Sequence, residues 1–338
     1  MAGLLGLVLV GLSGGIAGVE GSNGEKDEDD DDSASRGRAG DDDDAPEAGS
    51  GDLLLGTDEA DTLTGGAADE AIAGRGGDDV LHGGDGDDRM SGGAGDDILD
   101  GAGGADRMTG DGGNDTLDGG AGDDRLDGGP GDDELNGHGG DDIMTGGAGD
   151  DDAVGGEGDD RIDGGAGDDA LMGGEGDDRV AGGAGTDIVN GNDGNDRLLG
   201  IVAAADDTAP EDAPRDDAAR DYLNGGNGQD TLVAGGGDNA HGGAGEDAFV
   251  IGDWIDPDAG PATIEDYDAG EDSLLLVYDD SDGDAPDIEV TSDGANGATI
   301  VADGVAIADV TGAEGLTAKE ITLIGQSVLS AHLDDHAA

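Results

Sequence analysis

From Gly56 to Leu199 one apolar residue returns every nine positions. The series is Leu63, Ile72, Leu81, Met90, Leu99, Met108, Leu117, Leu126, Leu135, Met144, Ala153, Ile162, Leu171, Val180, Val189 and Leu198. Only Ala153 is as small as alanine. These 144 residues divide into 16 units of nine, with the apolar residue eighth in each. Positions seven to nine read as a short strand of three residues, the apolar one pointing inward and its neighbours outward. Positions one to six read as a tight turn. Two units then make one coil of 18 residues with a strand on each side. Stacked coils give two parallel sheets about 4.8 Å apart per layer, with Leu, Met, Ile and Val between them. Eight such coils make a rod of roughly 38 Å. The expected fold is all-β: a parallel β-roll (a β-solenoid) of nonapeptide repeats with a small β-rich C-terminal capping region.

The polar positions are as regular. Position six is Asp61, Asp79, Asp88, Asp97, Asp106, Asp115, Asp124, Asp133, Asp142, Asp151, Asp160, Asp169, Asp178, Asp187 and Asp196, with Glu70 in the second unit. Glycine fills position four in 14 units, failing only at Glu59 and Ala68. Glycines permit left-handed backbone angles, so the turn can aim its carbonyls inward. The sixth-position carboxylate joins them. Carbonyl and carboxylate oxygens are the hard ligands that calcium takes, typically six to eight at a time.

Charge strengthens this reading. The chain of 338 residues carries 86 acidic and 13 basic side chains, a net charge of −73. Such a surface excludes nucleic acid and anionic membrane as non-specific partners, since phosphate contacts need Lys and Arg. Only five residues are aromatic and none is cysteine, so neither a large aromatic core, disulfides nor thiolate metal sites are available. Residues 56 to 199 hold 40 acids and seven arginines, a net of −33. One Ca²⁺ per unit brings about +32 and nearly cancels it. Without metal, stacked carboxylates repel and the thin core cannot compensate, so folding is expected to require the ion.

The repeat G-G-x-G-x-D-x-U-x, clearest in Gly92-Gly93-Ala94-Gly95-Asp96-Asp97-Ile98-Leu99-Asp100, resembles that of the RTX (repeats-in-toxin, haemolysin-type calcium-binding) family. The resemblance spans 56–250. It implies calcium held between successive coils by the sixth-position aspartates and the glycine-turn carbonyls, and a roll that is disordered until the ion arrives. The pattern lapses at Gly200, across an Ala-, Asp- and Pro-rich loop at 201–220. It resumes with Asp221-Tyr222-Leu223-Asn224, a full unit carrying Asp230, a unit one residue short, and a last unit with Asp247 and Phe249. Asp221, Asp230 and Asp247 complete the expected calcium ligands.

The flanks differ. Residues 1–19 form an apolar N-terminal segment, read either as membrane-active or as a loose tail; no Lys or Arg opens it as a secretory signal would. The Gly11-Leu12-Ser13-Gly14-Gly15 within it matches a hydrolase elbow but lacks the flanking strand and helix that motif needs. Residues 20–55 read as an acidic disordered linker. Region 251–338 carries strand-like segments such as Ser273–Tyr278 and Ala298–Val301. It also has a Thr317-Ala318-Lys319-Glu320 capping box that predicts a short helix. By resemblance, 251–338 caps the roll and carries a type I secretion signal, which makes the secretion machinery a partner and the location extracellular. His332 and His336 lack the Glu of a zinc-protease helix.

Six arginines, Arg89, Arg107, Arg125, Arg161, Arg179 and Arg197, occupy position seven at multiples of one coil, so they share one outer column. The column reads as an exposed ladder balancing carboxylates such as Asp127 and Asp163; a docking strip for an anionic polymer or acidic segment is the alternative. No catalytic constellation is found. The expected protein is a secreted, non-enzymatic calcium-binding β-roll. The alternatives are a surface-anchored adhesive rod and a non-catalytic module of an extracellular enzyme.

Overall fold

The computed structural model describes residues 51, 53–201, 219–252, 259–278, 280, 285–292, 294 and 296–325. The segment 1–19, the linker up to 50, the body of the loop at 202–218, Trp254, His332 and His336 lie outside the described residues.

Within them the nine-residue period becomes a two-sided ladder. Met90 pairs with Met108 and Leu81 with Leu99, each in parallel register one coil apart. Successive strands alternate between two sheets: the first, third and later odd strands of the roll build a 13-stranded sheet, the odd sheet, and the strands between them a 14-stranded one, the even sheet. The eighth-position side chains lie between the sheets and are almost wholly buried, as at Leu81, Leu99, Leu117 and Leu126. Each layer therefore adds one large apolar residue per sheet, which makes a continuous but narrow core. There is no helix among the described residues.

The strands are longer than the three residues expected. Most run six residues, as in Arg89–Ala94, through positions seven to nine and on into one to three of the next unit. The reason lies at position one. Its glycine faces inward, where the sixth-position carboxylate fills the space that a side chain would take. With no Cβ to displace, the backbone stays in the ladder past that point. The turn shrinks to positions four to six.

The roll also begins earlier and ends later than the repeats suggest. Leu53–Leu55, which the sequence reading leaves in the linker, is a strand in parallel register with Ala71–Ala73. Ile188 pairs with Tyr222 and Val189 with Leu223, so the ladder bridges 34 residues there instead of 18 without losing register. Beyond Val250 both sheets continue. Ala248–Gly252 pairs with Ser273–Tyr278, which pairs with Ile321–Gly325, all parallel. In the other sheet Ala262–Ile264 pairs with Val305–Thr311. Two antiparallel strands, Gly297–Ala302 and Ile288–Ser292, close that edge.

Near this end the ninth position turns apolar, at Leu199, Val233, Val250 and Leu275. These residues join Ile201, Val277 and Ile324 in a second buried cluster on the outer side of the odd sheet. Strands buried on both faces read as apolar runs, which accounts for Ser273–Tyr278. Phe249 and Tyr267 meet edge to face, centroids 6.5 Å apart, in the main core. The capping box makes a turn and not the expected helix. Thr317 N–H donates to Glu320 Oε2 at 2.6 Å, but the chain then enters the strand at Ile321. Ile321 and Ile324 are both buried there, and the two sides of a strand rather than one helical stripe supply that burial.

Candidate metal centre

The sixth residue of each unit ends the turn and immediately precedes the strand. Its neighbour at position seven points out and position eight points in, so position six also points in, beneath the turn. Aspartate is short enough to stay there. From Asp79 to Asp196 all these side chains are at most 3% exposed, as are Asp221, Asp230 and Asp247. Asp61, in the outermost unit, is half-buried and its Oδ2 accepts from Thr57 N–H at 2.6 Å.

The two carboxylate oxygens have different surroundings. One accepts a hydrogen bond from the backbone N–H of the aspartate one coil earlier: Asp106 N–H to Asp124 Oδ1 at 2.7 Å, Asp124 N–H to Asp142 Oδ1 at 2.7 Å. This repeats along both edges of the roll. The other oxygen, Oδ2, is buried and has no hydrogen-bond partner from Asp79 through Asp178, and again at Asp196 and Asp230. A buried carboxylate oxygen without a partner is costly, so a whole column of them marks places built for something absent from the protein itself.

What surrounds Oδ2 narrows the choice. A Cβ placed on Gly128 would lie 2.5 Å from Asp133 Oδ2 and 2.8 Å from the Gly146 carbonyl oxygen. The same holds at Gly155, where the Gly173 carbonyl lies 2.6 Å from that point beside Asp160 Oδ2. A carboxylate oxygen and a carbonyl oxygen of the next coil thus converge on space that only glycine leaves open. Among the described residues no three His, Cys, Asp or Glu side chains cluster. The donor set is therefore one carboxylate oxygen per turn plus main-chain carbonyls. That set is all oxygen and flexible in number, which fits calcium and not zinc or copper.

Electrostatics agree. Asp142, Asp169, Asp178 and Asp230 are pushed up to about 7, chiefly by burial. The backbone hydrogen bond opposes this, and neighbouring aspartates add to it. Asp79, Asp88, Asp106, Asp115, Asp124, Asp151, Asp160 and Asp196 rise to about 6 for the same leading reason. A divalent cation beside Oδ2 reverses that logic, because it favours the ionised form.

Two acids extend the series beyond the sequence reading, and Glu70 keeps the place expected of it in the second unit. Asp238, in the shortened unit, is buried and its Oδ1 accepts from Asp221 N–H at 3.0 Å across 17 residues. Its signal is Asp238-Asn239-Ala240, with alanine in the apolar slot. Asp272 stands one coil beyond Asp247 and accepts from Asp247 N–H at 3.0 Å. Asp272-Ser273-Leu274 is again aspartate two before an apolar residue, with only Gly270 of the turn glycines ahead of it. Glu70 is buried too and reaches back to Gly66 N–H at 2.9 Å, one methylene longer than its neighbours.

No curated protein matches the chain. The family of the RTX calcium-binding nonapeptide repeat (4 copies) matches in overlapping segments that together cover residues 48–200 and 215–240. That is more than half of the chain, and it contains the carboxylate column from Asp61 to Asp238. Fold, repeat and family therefore agree: this chain belongs to the RTX calcium-binding nonapeptide repeat family.

Proposed function

We propose that the chain is a secreted, non-enzymatic calcium-binding β-roll that folds when it meets calcium outside the cell. The observation that carries this reading is the column of buried Oδ2 atoms facing glycine carbonyls. Asp61, Asp79, Asp88, Asp97, Asp106, Asp115, Asp124, Asp133, Asp142, Asp151, Asp160, Asp169, Asp178, Asp187, Asp196, Asp221, Asp230 and Asp247 would hold the ions, with Glu70, Asp238 and Asp272 at the irregular layers. Bound calcium supplies positive charge where the stacked carboxylates otherwise repel. Family resemblance supports region 251–338 as the address for type I secretion. Region 1–55 is proposed as an apolar segment and spacer, 56–250 as the calcium roll and 251–338 as its cap.

Circular dichroism and small-angle scattering of the full chain test the reading. Chelated protein is expected to be expanded with little β signal, and millimolar calcium to give compaction and β signal. Full β signal in the chelated chain would sink the proposal.

A further inference from the structure

The two outer faces of the roll carry opposite charge. All seven arginines of residues 56 to 199 sit on strands of the odd sheet: Arg75 joins the six of the column, in register beside Gly93. The outward positions of that sheet add only Asp111, Asp127 and Asp163 as acids. The even sheet has no arginine or lysine over the same layers. Its strands present Asp85, Asp100, Asp118, Glu134, Asp152, Glu157, Glu175 and Asp193. Arg89, Arg107 and Arg125 stand on three successive layers in direct register. All three are exposed and, among the described residues, have no carboxylate within ion-pairing distance. Like charges opposed in this way destabilise an isolated sheet.

The acidic face also leaves apolar side chains in solvent. Ile188 is 58% exposed and Tyr222, its register partner, 47%. Val154 and Met172 pair beside them and are also exposed. Both faces share one period, since both are built from the same 18-residue coil. A row of guanidiniums on one copy thus has the same layer spacing as a row of carboxylates on another.

We propose that the arginine face of the roll docks on the acidic face of a second copy, giving lateral, head-to-tail association of calcium-loaded rolls. Charge complementarity and common spacing select the partner, and Ile188, Tyr222, Val154 and Met172 supply apolar area. The contact joins two different faces, so it does not close on itself and chains grow beyond dimers. The inference rests on calcium folding, because only the neutralised roll leaves face charge as the dominant field.

The test uses the full chain in calcium at low salt, with circular dichroism reading folding and analytical ultracentrifugation reading mass. Wild type is expected to show a mass that rises with concentration at least about twofold and falls back with added salt. Arg107→Glu with Arg125→Glu, and separately Glu134→Lys with Asp152→Lys, should keep the β signal and remain monomeric. Mixed, the two variants still offer one intact arginine face and one intact acidic face. They should associate on mixing, although neither does so alone. Folded wild type that stays monomeric would overturn the proposal, as would association untouched by either pair of changes. Retention of monomers on immobilised heparin, lost in the Arg107→Glu, Arg125→Glu variant, would reassign the face to polyanions. Failure of the β signal itself would instead count against calcium folding.

Discussion

A single aspartate in this roll has two tasks. Oδ1 ties its coil to the previous one, and Oδ2 waits beside glycine and carbonyl oxygen. Asp124→Ala removes both, so the calcium concentration for half-folding should rise several-fold, read by circular dichroism. Asp29→Ala in the linker should leave it unchanged; equal effects at both positions would mean bulk charge drives the response. The raised carboxyls also dictate a pH response. In the metal-free fold Asp142, Asp169 and Asp178 titrate near 7, well above the ordinary carboxylate near 4. A folded value above the unfolded one stabilises the fold at low pH, and that contribution disappears as pH rises through about 6 to 7. Chelated protein should therefore gain β signal on acidification from about pH 8 to 5. Over the same range protons compete for Oδ2, so the calcium midpoint should climb as pH falls. A midpoint flat across this range would show that these carboxyls are not the ligands.

At the scale of the turn, neighbouring glycines that look alike in sequence are not equivalent. Gly113 has φ +139°, and a Cβ on it would meet the Gly95 carbonyl carbon at 2.5 Å. Gly112, one residue earlier, has open space within 4 Å. Gly113→Ala should cost about 2 kcal/mol or more in calcium-loaded stability, from a conformation almost confined to glycine plus a backbone clash. Gly112→Ala should be neutral or stabilising by about 0.5 kcal/mol, through a stiffer unfolded chain. Calcium-loaded thermal melts separate the two, and comparable losses would refute the assignment. Position two is intermediate: Arg75, Ala102, Asp111, His138 and Asn192 all take positive φ there without glycine. The nine-residue period pointed to a tight glycine turn, but repetition alone does not say which glycine is sterically required. That depends on the carbonyl of the coil stacked beneath.

For the whole molecule, the layers depend on their neighbours, and the ends decide where folding starts. The N-terminal end starts on Leu53–Leu55, three residues with Leu53 more than half exposed. The C-terminal end has Phe249, Tyr267 and a second buried cluster, closed by antiparallel strands. Deleting 251–338 should therefore raise the calcium midpoint far more than deleting 1–52. Matching midpoints for the two truncations would leave the C-terminal region without a role in folding.

Some of this architecture follows from the sequence alone. A solenoid contacts only its adjacent layers, so a fixed period names the neighbours in advance: Leu99 must lie on Leu81 and Leu117, and Asp124 beside Asp106 and Asp142. The inward column, the carboxylate column and the arginine line all follow from that one rule. Where the period breaks the rule fails. Asp238 and Asp272 took their places, Ser273–Tyr278 and Ile321–Gly325 joined the ladder, and Thr317–Glu320 stayed a turn, because closing the core in three dimensions outweighed local pattern. The arginine line is legible in the period, but that acids from positions three, seven and nine share the opposite face is visible only once the six-residue strands of both sheets exist. It belongs to surfaces that residues far apart in the chain build together.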